Sequence, residues 1–289
     1  MGNSSSDPFN LDSQIDKLNQ FNKSASEEVF KRCTDVIQSS NSTLIEKANA
    51  HLVLGNMYIG NYWDQDFSKA IYHLTAARNS ASHYGTIFLG MIHHLGSDLD
   101  KNKEYFLFYE YKCKNNLIWK KDTTTPLEKN YPLALELFQH IEKTAGTKKF
   151  HILDRFLGLH HEGGLATKIN YDLAMKYYEK SSPGFKPVIK DIMQMFLDHK
   201  ADIMSPECLE YAIKYSDLYY DGLFTLAKIY EVRGDIKSAT KCCEKHLSSP
   251  LHRGENNIIS VQKKVEDLLK IYKGQVKEET PLVYAYPIS

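Results

Sequence analysis

A short pattern of apolar and small residues recurs along the chain and predicts a first set of helices. It consists of leucine, a small residue, two variable residues and then an aromatic residue or histidine, and it occurs at 54–58, 89–93, 157–161 and 226–230. Apolar residues around each copy recur at i, i+3, i+4 and i+7, which is the spacing of one helix face. The small residues Gly55 and Gly90 lie 35 residues apart, and the next two intervals, to Gly158 and to Ala227, are 68 and 69 residues. A sequence repeat therefore organises the chain.

A second pattern follows the first and predicts a second set of helices. It consists of alanine, three further residues and then usually a large side chain, at 70–74, 134–138, 174–178, 212–216 and 239–243. Its apolar residues also have helical spacing, and small residues at fixed places allow two helices to approach closely. Gly96, Gly164 and Gly234 fit helix ends, whereas Asp66 and Asp235 fit helix starts. The chain is therefore predicted to form successive antiparallel helix pairs.

Together these patterns resemble the signature of the tetratricopeptide and Sel1-like repeat superfamily, Leu-Gly-x-x-Tyr followed by Ala-x-x-x-Phe. The interval of 12 residues from Ala227 to Ala239 resembles an ordinary tetratricopeptide repeat, whereas the 15 residues from Gly55 to Ala70 are similar to the Sel1-like form. The resemblance covers roughly residues 48–246. It implies an all-α fold, a right-handed α-solenoid of about five to six stacked antiparallel helix pairs.

The repeats also predict how the chain is divided. Residues 1–24 are expected to be a flexible leader, and residues 274–289 a flexible tail. Residues 25–273 are expected to be the repeat domain, with a flanking helix at each end and an irregular insertion near 115–128. The helix predicted at 258–272 would cover the apolar core that an open solenoid end exposes.

Charge and cysteine content narrow the classes of partner and compartment. Lys plus Arg and Asp plus Glu both number 36, so the balanced charge argues against a nucleic-acid partner. No segment reaches the roughly 20 apolar residues of a membrane span. The five cysteines form no C-x-x-C motif and cannot all pair within one chain. Reduced thiols and a cytoplasmic location are therefore expected.

Motifs of enzymes are missing from the sequence, but histidines raise the question of a metal. There is no G-x-G-x-x-G, Walker, H-E-x-x-H or G-x-S-x-G motif, so no catalytic residue or cofactor is predicted. The pairs His93-His94 and His160-His161 lie at equivalent repeat places and could face each other as metal ligands. Alternatively, one histidine of each pair replaces the packing tyrosine of the repeat. We favour packing, and predict no metal, because adjacent helical residues point about 100° apart.

The resemblance implies a concave surface that is lined mainly by the first helix of each pair. Carrying its inward positions onto this chain gives partner-binding candidates from four repeats. They are Asn49, Asn56, Tyr84, Met91, His94, Arg155, Glu162, Lys228 and Glu231. Their mixture of aromatic, amide and charged groups suits a peptide or helical segment of another protein. The predicted function is a non-enzymatic adaptor, and the alternatives are an enzyme, either a hydrolase or metal-dependent, built on the solenoid, or a self-associating scaffold.

The first six residues match a lipidation motif. Met1 to Ser6 fit the M-G-x-x-x-[ST] pattern of N-myristoylation, with Gly2 as the acceptor. The competing interpretation is a chance match in a serine-rich leader. One myristoyl chain gives marginal membrane binding, with an association constant of about 10⁴ M⁻¹. Because the motif is flanked by acidic residues and has no nearby cysteine, we expect at most weak, reversible membrane association.

Overall fold

A computed structural model describes residues 9–18, 23–59, 66–96, 127–219, 221–248 and 256–278, and the side chains of the last helix over 262–274. These parts of the chain contain helices and no strand. The helices are α1 Leu11–Leu18, α2 Lys23–Gln38, α3 Leu44–Ile59, α4 Phe67–Asn79, α5 His83–Leu95, α6 Tyr131–Thr144, α7 His151–Gly163, α8 Tyr171–Ser181, α9 Val188–Leu197, α10 Pro206–Leu218, α11 Gly222–Val232, α12 Ile236–Ser248 and α13 Asn256–Glu278.

Helix ends lie where the sequence places capping residues. Asp66 precedes α4, and its Oδ1 accepts a hydrogen bond from the Lys69 backbone N–H at 3.0 Å. Asp235 caps α12 in the same way. Gly96 and Gly164 follow α5 and α7 with φ of 52° and 64°, a left-handed region that favours glycine. The predicted helix starts at Asp66 and Asp235 and the predicted helix ends at Gly96 and Gly164 are therefore confirmed.

The chain divides into two compact units, Met1–Asn170 and Tyr171–Ser289, here called unit 1 and unit 2. In unit 1 the helices α1 to α7 pack in chain order, each against its neighbour. Phe9 and Leu18 join Val29, Cys33 and Met57 in a core that connects α1, α2 and α3. Burial of these apolar side chains is the main stabilising contribution to the unit.

Two glycines of the first repeat pattern allow close helix crossings in unit 1. A Cβ atom on Gly55 would lie 2.7 Å from Leu74 Cγ, so α3 and α4 approach too closely for any side chain there. A Cβ on Gly90 would lie 2.5 Å from Phe138 Cε1, at the crossing of α5 and α6. The small residue of the Leu-Gly pattern thus meets the large residue of the Ala-x-x-x-Phe pattern.

Unit 2 contains α8 to α13, which also pack in chain order. Ala212, Ala227 and Ala239 have no exposed surface, in keeping with their places in the repeat patterns. The last helix, α13, packs against α12 and buries Val265 and Tyr272 completely. No helix of either unit, along the described residues, is long and apolar enough to cross a membrane.

The structure corrects the predicted ends of the repeat domain. The segment 1–24 was expected to be a flexible leader, but α1 occupies residues 11–18 and buries Ile15 and Leu18. A helix of eight residues is too short to be stable alone, so packing against α2 and α3 holds it in place. At the other end, α13 continues to Glu278, into the predicted tail. The insertion predicted near 115–128 falls almost wholly outside the described residues.

Candidate functional site

Four of the nine predicted partner-binding residues are buried. Asn56, Met91, His94 and Arg155 expose 6%, 0%, 8% and 8% of their surface. A side chain enclosed to this degree cannot contact a partner without rearrangement of its neighbours. Asn56 illustrates the reason, because its Nδ2 donates to the Leu52 carbonyl one turn earlier in α3. The assignment of these four residues to an open groove is therefore corrected to interior positions.

The other five candidates retain exposed surface. Asn49, Tyr84 and Glu162 are partly exposed on α3, α5 and α7 of unit 1. In unit 2, Lys228 is exposed on α11 and its Nζ lies 5.5 Å from the Phe224 ring centroid. Glu231, one turn later, is partly exposed, and its carboxylate together with burial raises the pKa of Tyr272. The three candidates of the first group thus lie in unit 1, and the two of the second group lie in unit 2. Gly2, the predicted lipidation site, lies outside the described residues.

Tyr84 is the centre of an aromatic group at the start of α5, here called the Tyr84 cluster. The cluster consists of His83, Tyr84, Phe88, Lys148 and Phe150. The Tyr84 ring meets Phe150 edge-on, with centroids 5.2 Å apart, and lies 6.2 Å from Phe88. Lys148 Nζ lies 5.6 Å from the Tyr84 centroid and 5.2 Å from that of Phe150. The arrangement places a positive charge beside a packed aromatic group in which Tyr84 is partly exposed.

One histidine from each of these two sequence pairs faces the other in the core of unit 1. His94 Nδ1 lies 3.1 Å from His160 Nε2, and His160 Nδ1 lies 2.6 Å from the Leu165 carbonyl oxygen. The carbonyl can only accept, so His160 carries its hydrogen on Nδ1 and leaves Nε2 as an acceptor for His94. Phe156 lies edge-on to His94, with centroids 4.8 Å apart. His94 Nδ1 and both ring nitrogens of His160 therefore belong to one chain of hydrogen bonds that ends at the Leu165 carbonyl.

Burial keeps both members of this pair neutral. Burial, with the neighbouring His160 and the positive charge of Arg155, lowers the pKa of His94 to about 3. Burial also lowers the pKa of His160, although its bond to the Leu165 carbonyl opposes that shift. His94 and Arg155, both candidates from the sequence, are thus close together, in a packed interior. This arrangement favours the packing interpretation of these histidines.

A second histidine pair, which the sequence analysis did not single out, lies between α3 and α4. His51 Nδ1 and His73 Nδ1 are 2.9 Å apart, and both rings are half-buried. Burial lowers the pKa of His51, and burial together with His51 lowers the pKa of His73 to about 4. A signal for this pair was present in the sequence. His51 lies one turn before Gly55, and His73 directly precedes the large residue of the pattern that packs there, Leu74.

The described cysteines are interior groups. Cys33, Cys208, Cys242 and Cys243 are free and buried. Burial raises the pKa of Cys33 to about 12 and, in the largest part, that of Cys208 and Cys243 to about 11. The reactive thiolate form is therefore scarce at neutral pH.

Comparison with known proteins identifies the fold. No family model and no curated protein matches the sequence. Among solved structures, a Sel1 repeat protein from Oxalobacter formigenes aligns with a TM-score of 0.55 at 14% identity, over 89% of this chain and 100% of that one. The chain has the Sel1-like repeat fold. The likeness predicted from the repeat patterns is thereby confirmed for the fold.

A second solved structure also aligns with the chain. The protein c5321, a protective antigen of uropathogenic Escherichia coli strains with an SLR fold, aligns with a TM-score of 0.47 at 12% identity. The alignment covers 94% of this chain and 60% of that one.

Proposed function

We propose that this Sel1-like protein is a non-enzymatic adaptor that binds a peptide or helical segment of another protein. The observation that carries the proposal is the Tyr84 cluster, which lies at the start of the first helix of a repeat pair. Stacked helix pairs present extended surfaces that are used for binding. Aromatic residues, Tyr among them, are enriched at protein interfaces, and large rigid rings contribute much of the binding energy there.

The cluster also indicates the chemistry of the partner segment. The Tyr84 ring is partly exposed and packs edge-on against the buried Phe150 ring, and Lys148 Nζ lies within 6 Å of both ring centroids. A segment that carries an apolar side chain next to a carboxylate complements this arrangement. Asn49 and Glu162, the other partly exposed candidates of unit 1, would add polar contacts along the first helices.

An adaptor fits the histidines of unit 1 better than the enzyme alternative does. Catalytic acid or base chemistry needs a group that can reach a substrate and change its protonation. His94 and His160 are buried, and the ring nitrogens that join them already form a hydrogen-bond chain ending at the Leu165 carbonyl. These groups therefore support packing and not proton transfer.

We further propose that the adaptor works in the cytoplasm. The support is that the four described cysteines are free, buried thiols. Disulfides form and persist in oxidising compartments and are rare in the cytosol.

A binding experiment tests the adaptor proposal at the Tyr84 cluster. Partners captured by the wild-type chain are identified by mass spectrometry, purified, and titrated against Tyr84→Ala/Lys148→Ala. We expect at least about a ten-fold loss of affinity, as for a central interface residue. Tyr72→Ala is the matched control, because Tyr72 is a 66% exposed tyrosine on the second helix of a pair. Unchanged affinity of the double variant, with helicity intact, would contradict this site.

A further inference from the structure

Two histidine rings meet between α3 and α4, a helix pair of unit 1. The Nδ1 atoms of His51 and His73 are 2.9 Å apart. In the metal-free protein, one ring donates its Nδ1 hydrogen to the nitrogen lone pair of the other ring. When the donating ring carries its hydrogen on Nε2 instead, both Nδ1 lone pairs can bind the same ion.

The spacing of these two atoms suits a shared metal. Two imidazole nitrogens that lie about 2.0–2.1 Å from one metal are about 2.9 Å apart at a ligand angle of 90°, and about 3.3 Å apart in a tetrahedron. The observed separation of 2.9 Å matches the right angle. Widening by roughly 0.4 Å would give a tetrahedral site for zinc.

Neighbouring rings hold the two histidines in place. His73 stacks on Tyr58 with an interplanar angle of 11°. Tyr72 lies edge-on to both rings, with centroids 5.1 Å from His73 and 6.3 Å from His51. Because Tyr72 is 66% exposed and both histidines are half-buried, the pair lies at the surface of unit 1. The two rings are therefore positioned by packing and retain exposed surface.

Water can complete the coordination at this pair. Within the described ranges, no group of three or more His, Cys, Asp or Glu side chains is placed to hold a metal. A site with two protein ligands thus needs open positions for water. The buried pair His94 and His160 lacks them, since it exposes only 8% and 0% of its surface, and His160 Nδ1 is bonded to Leu165.

We propose that His51 and His73 form a two-histidine site for a divalent cation of the copper, nickel or zinc class. Neutral imidazole is a favoured ligand of these metals. At pH 7.5 most histidine side chains are neutral, so the lone pairs are available. A bound ion links α3 to α4 and therefore stabilises unit 1 against unfolding.

Metal titration of the full chain tests this site. Protein without a polyhistidine tag is treated with EDTA, dialysed and titrated calorimetrically with CuSO₄ and with ZnCl₂ at pH 7.5. We expect saturable binding and a rise in Tm. His51→Gln and His73→Gln should each weaken the tightest site at least about ten-fold, because one ligand of a linked pair is lost. His94→Gln, which alters the buried pair, is the matched control and should retain the affinity.

A second measurement on the wild-type protein keeps the test independent of any folding defect in the variants. In ¹⁵N NMR of the histidine rings, added zinc should shift the Nδ1 signals of His51 and His73 and leave those of His94 unchanged. Absence of saturable binding, an affinity in both glutamine variants equal to that of the wild type, or zinc shifts confined to other histidines would overturn the site. The contact would then be only a hydrogen bond between two rings.

Discussion

The histidines of unit 1 show how burial selects the chemistry of one side-chain type. His94 and His160 are enclosed, and the Leu165 carbonyl fixes which nitrogen of His160 carries the hydrogen. His51 and His73 have the same kind of nitrogen contact but lie half-exposed. The first pair is therefore a packing element, whereas the second retains exposed surface and carries the proposed metal site.

The buried pair predicts a pH dependence of stability. The pKa of His94 is lowered to about 3, whereas an unfolded histidine has a pKa near 6.5. Below pH 6.5 the unfolded chain therefore binds a proton that the folded chain does not. The contribution of neutral His94 to the free energy of unfolding is fully present above pH 6.5. It decreases as the pH falls towards 3, by about 1 kcal/mol per pH unit for such a group.

The His94→Gln variant checks this prediction. Glutamine can donate to His160 Nε2 but does not titrate, so the free energy of unfolding should fall less steeply between pH 7 and pH 5 than in the wild type. Urea unfolding at several pH values measures both slopes. Parallel slopes would show that His94 is not the titrating group.

At the scale of single residues, the sequence predicts packing positions better than exposed ones. Gly55 and Gly90 lie at close helix crossings and Asp66 caps α4, as the repeat patterns predicted. Arg155 does not follow the prediction, since it exposes only 8% of its surface although the resemblance placed it on the open concave face. A repeat signature states which face of a helix a residue occupies. Whether other side chains cover that face depends on contacts between residues distant in sequence, which the signature does not contain.

At the scale of elements, long periodic helices were predictable and short ones were not. Copies of the patterns lie within α3, α4, α7 and α12. The eight-residue α1 carries too few apolar residues for a clear period, and its position depends on burial of Ile15 and Leu18 against neighbouring helices. No copy of the first pattern lies between 161 and 226, yet α9 within that stretch is a regular helix.

The crossing of α5 and α6 gives a prediction for a helix pair. Gly90→Ala would place a methyl group 2.5 Å from Phe138 Cε1. Phe138 has no exposed surface, and its ring contacts Phe156 and His160, so it cannot rotate away. Overpacking of this kind costs about 1–3 kcal/mol, more than the helix propensity of alanine gains.

The same substitution elsewhere provides the control for this crossing. A Cβ atom on Gly274, in α13, would have no other atom within 4 Å, so Gly274→Ala should be neutral or stabilise by up to about 1 kcal/mol. Urea unfolding of both variants measures the difference. Equal stabilities would contradict the close approach of α5 and α6.

At the scale of the whole molecule, the repeats predicted the fold but not the division of the chain into two compact units. A Sel1-like structure aligns along 89% of the chain at 14% identity, so the fold rests on a few small and large positions and not on overall sequence. The boundary between Asn170 and Tyr171 is set by the density of contacts within each unit. Neither residue carries a pattern that distinguishes it from other turns between helices.

Because each unit consists of helices that pack on their neighbours in chain order, we expect a mutation to destabilise mainly the helices near it. In repeat proteins each element contacts mainly its neighbours, so stability is approximately a sum of local terms. Gly222→Ala would place a methyl group 2.5 Å from Ser216 Cα and from the Tyr215 carbonyl oxygen, and backbone atoms cannot move aside as a side chain can. The variant should therefore open the contact between α10 and α11, in unit 2.

Hydrogen exchange measured by mass spectrometry resolves that response along the chain. Amides of α10 and α11 should exchange at least about ten-fold faster in Gly222→Ala, the factor that corresponds to about 1.4 kcal/mol. Amides of α3 to α5 should change little. Gly90→Ala is the reciprocal control, since it should accelerate exchange in α5 and α6 and spare α10 to α12. Equal acceleration in both units by either variant would show that the chain unfolds as one block, because local opening confined to one unit leaves the other protected.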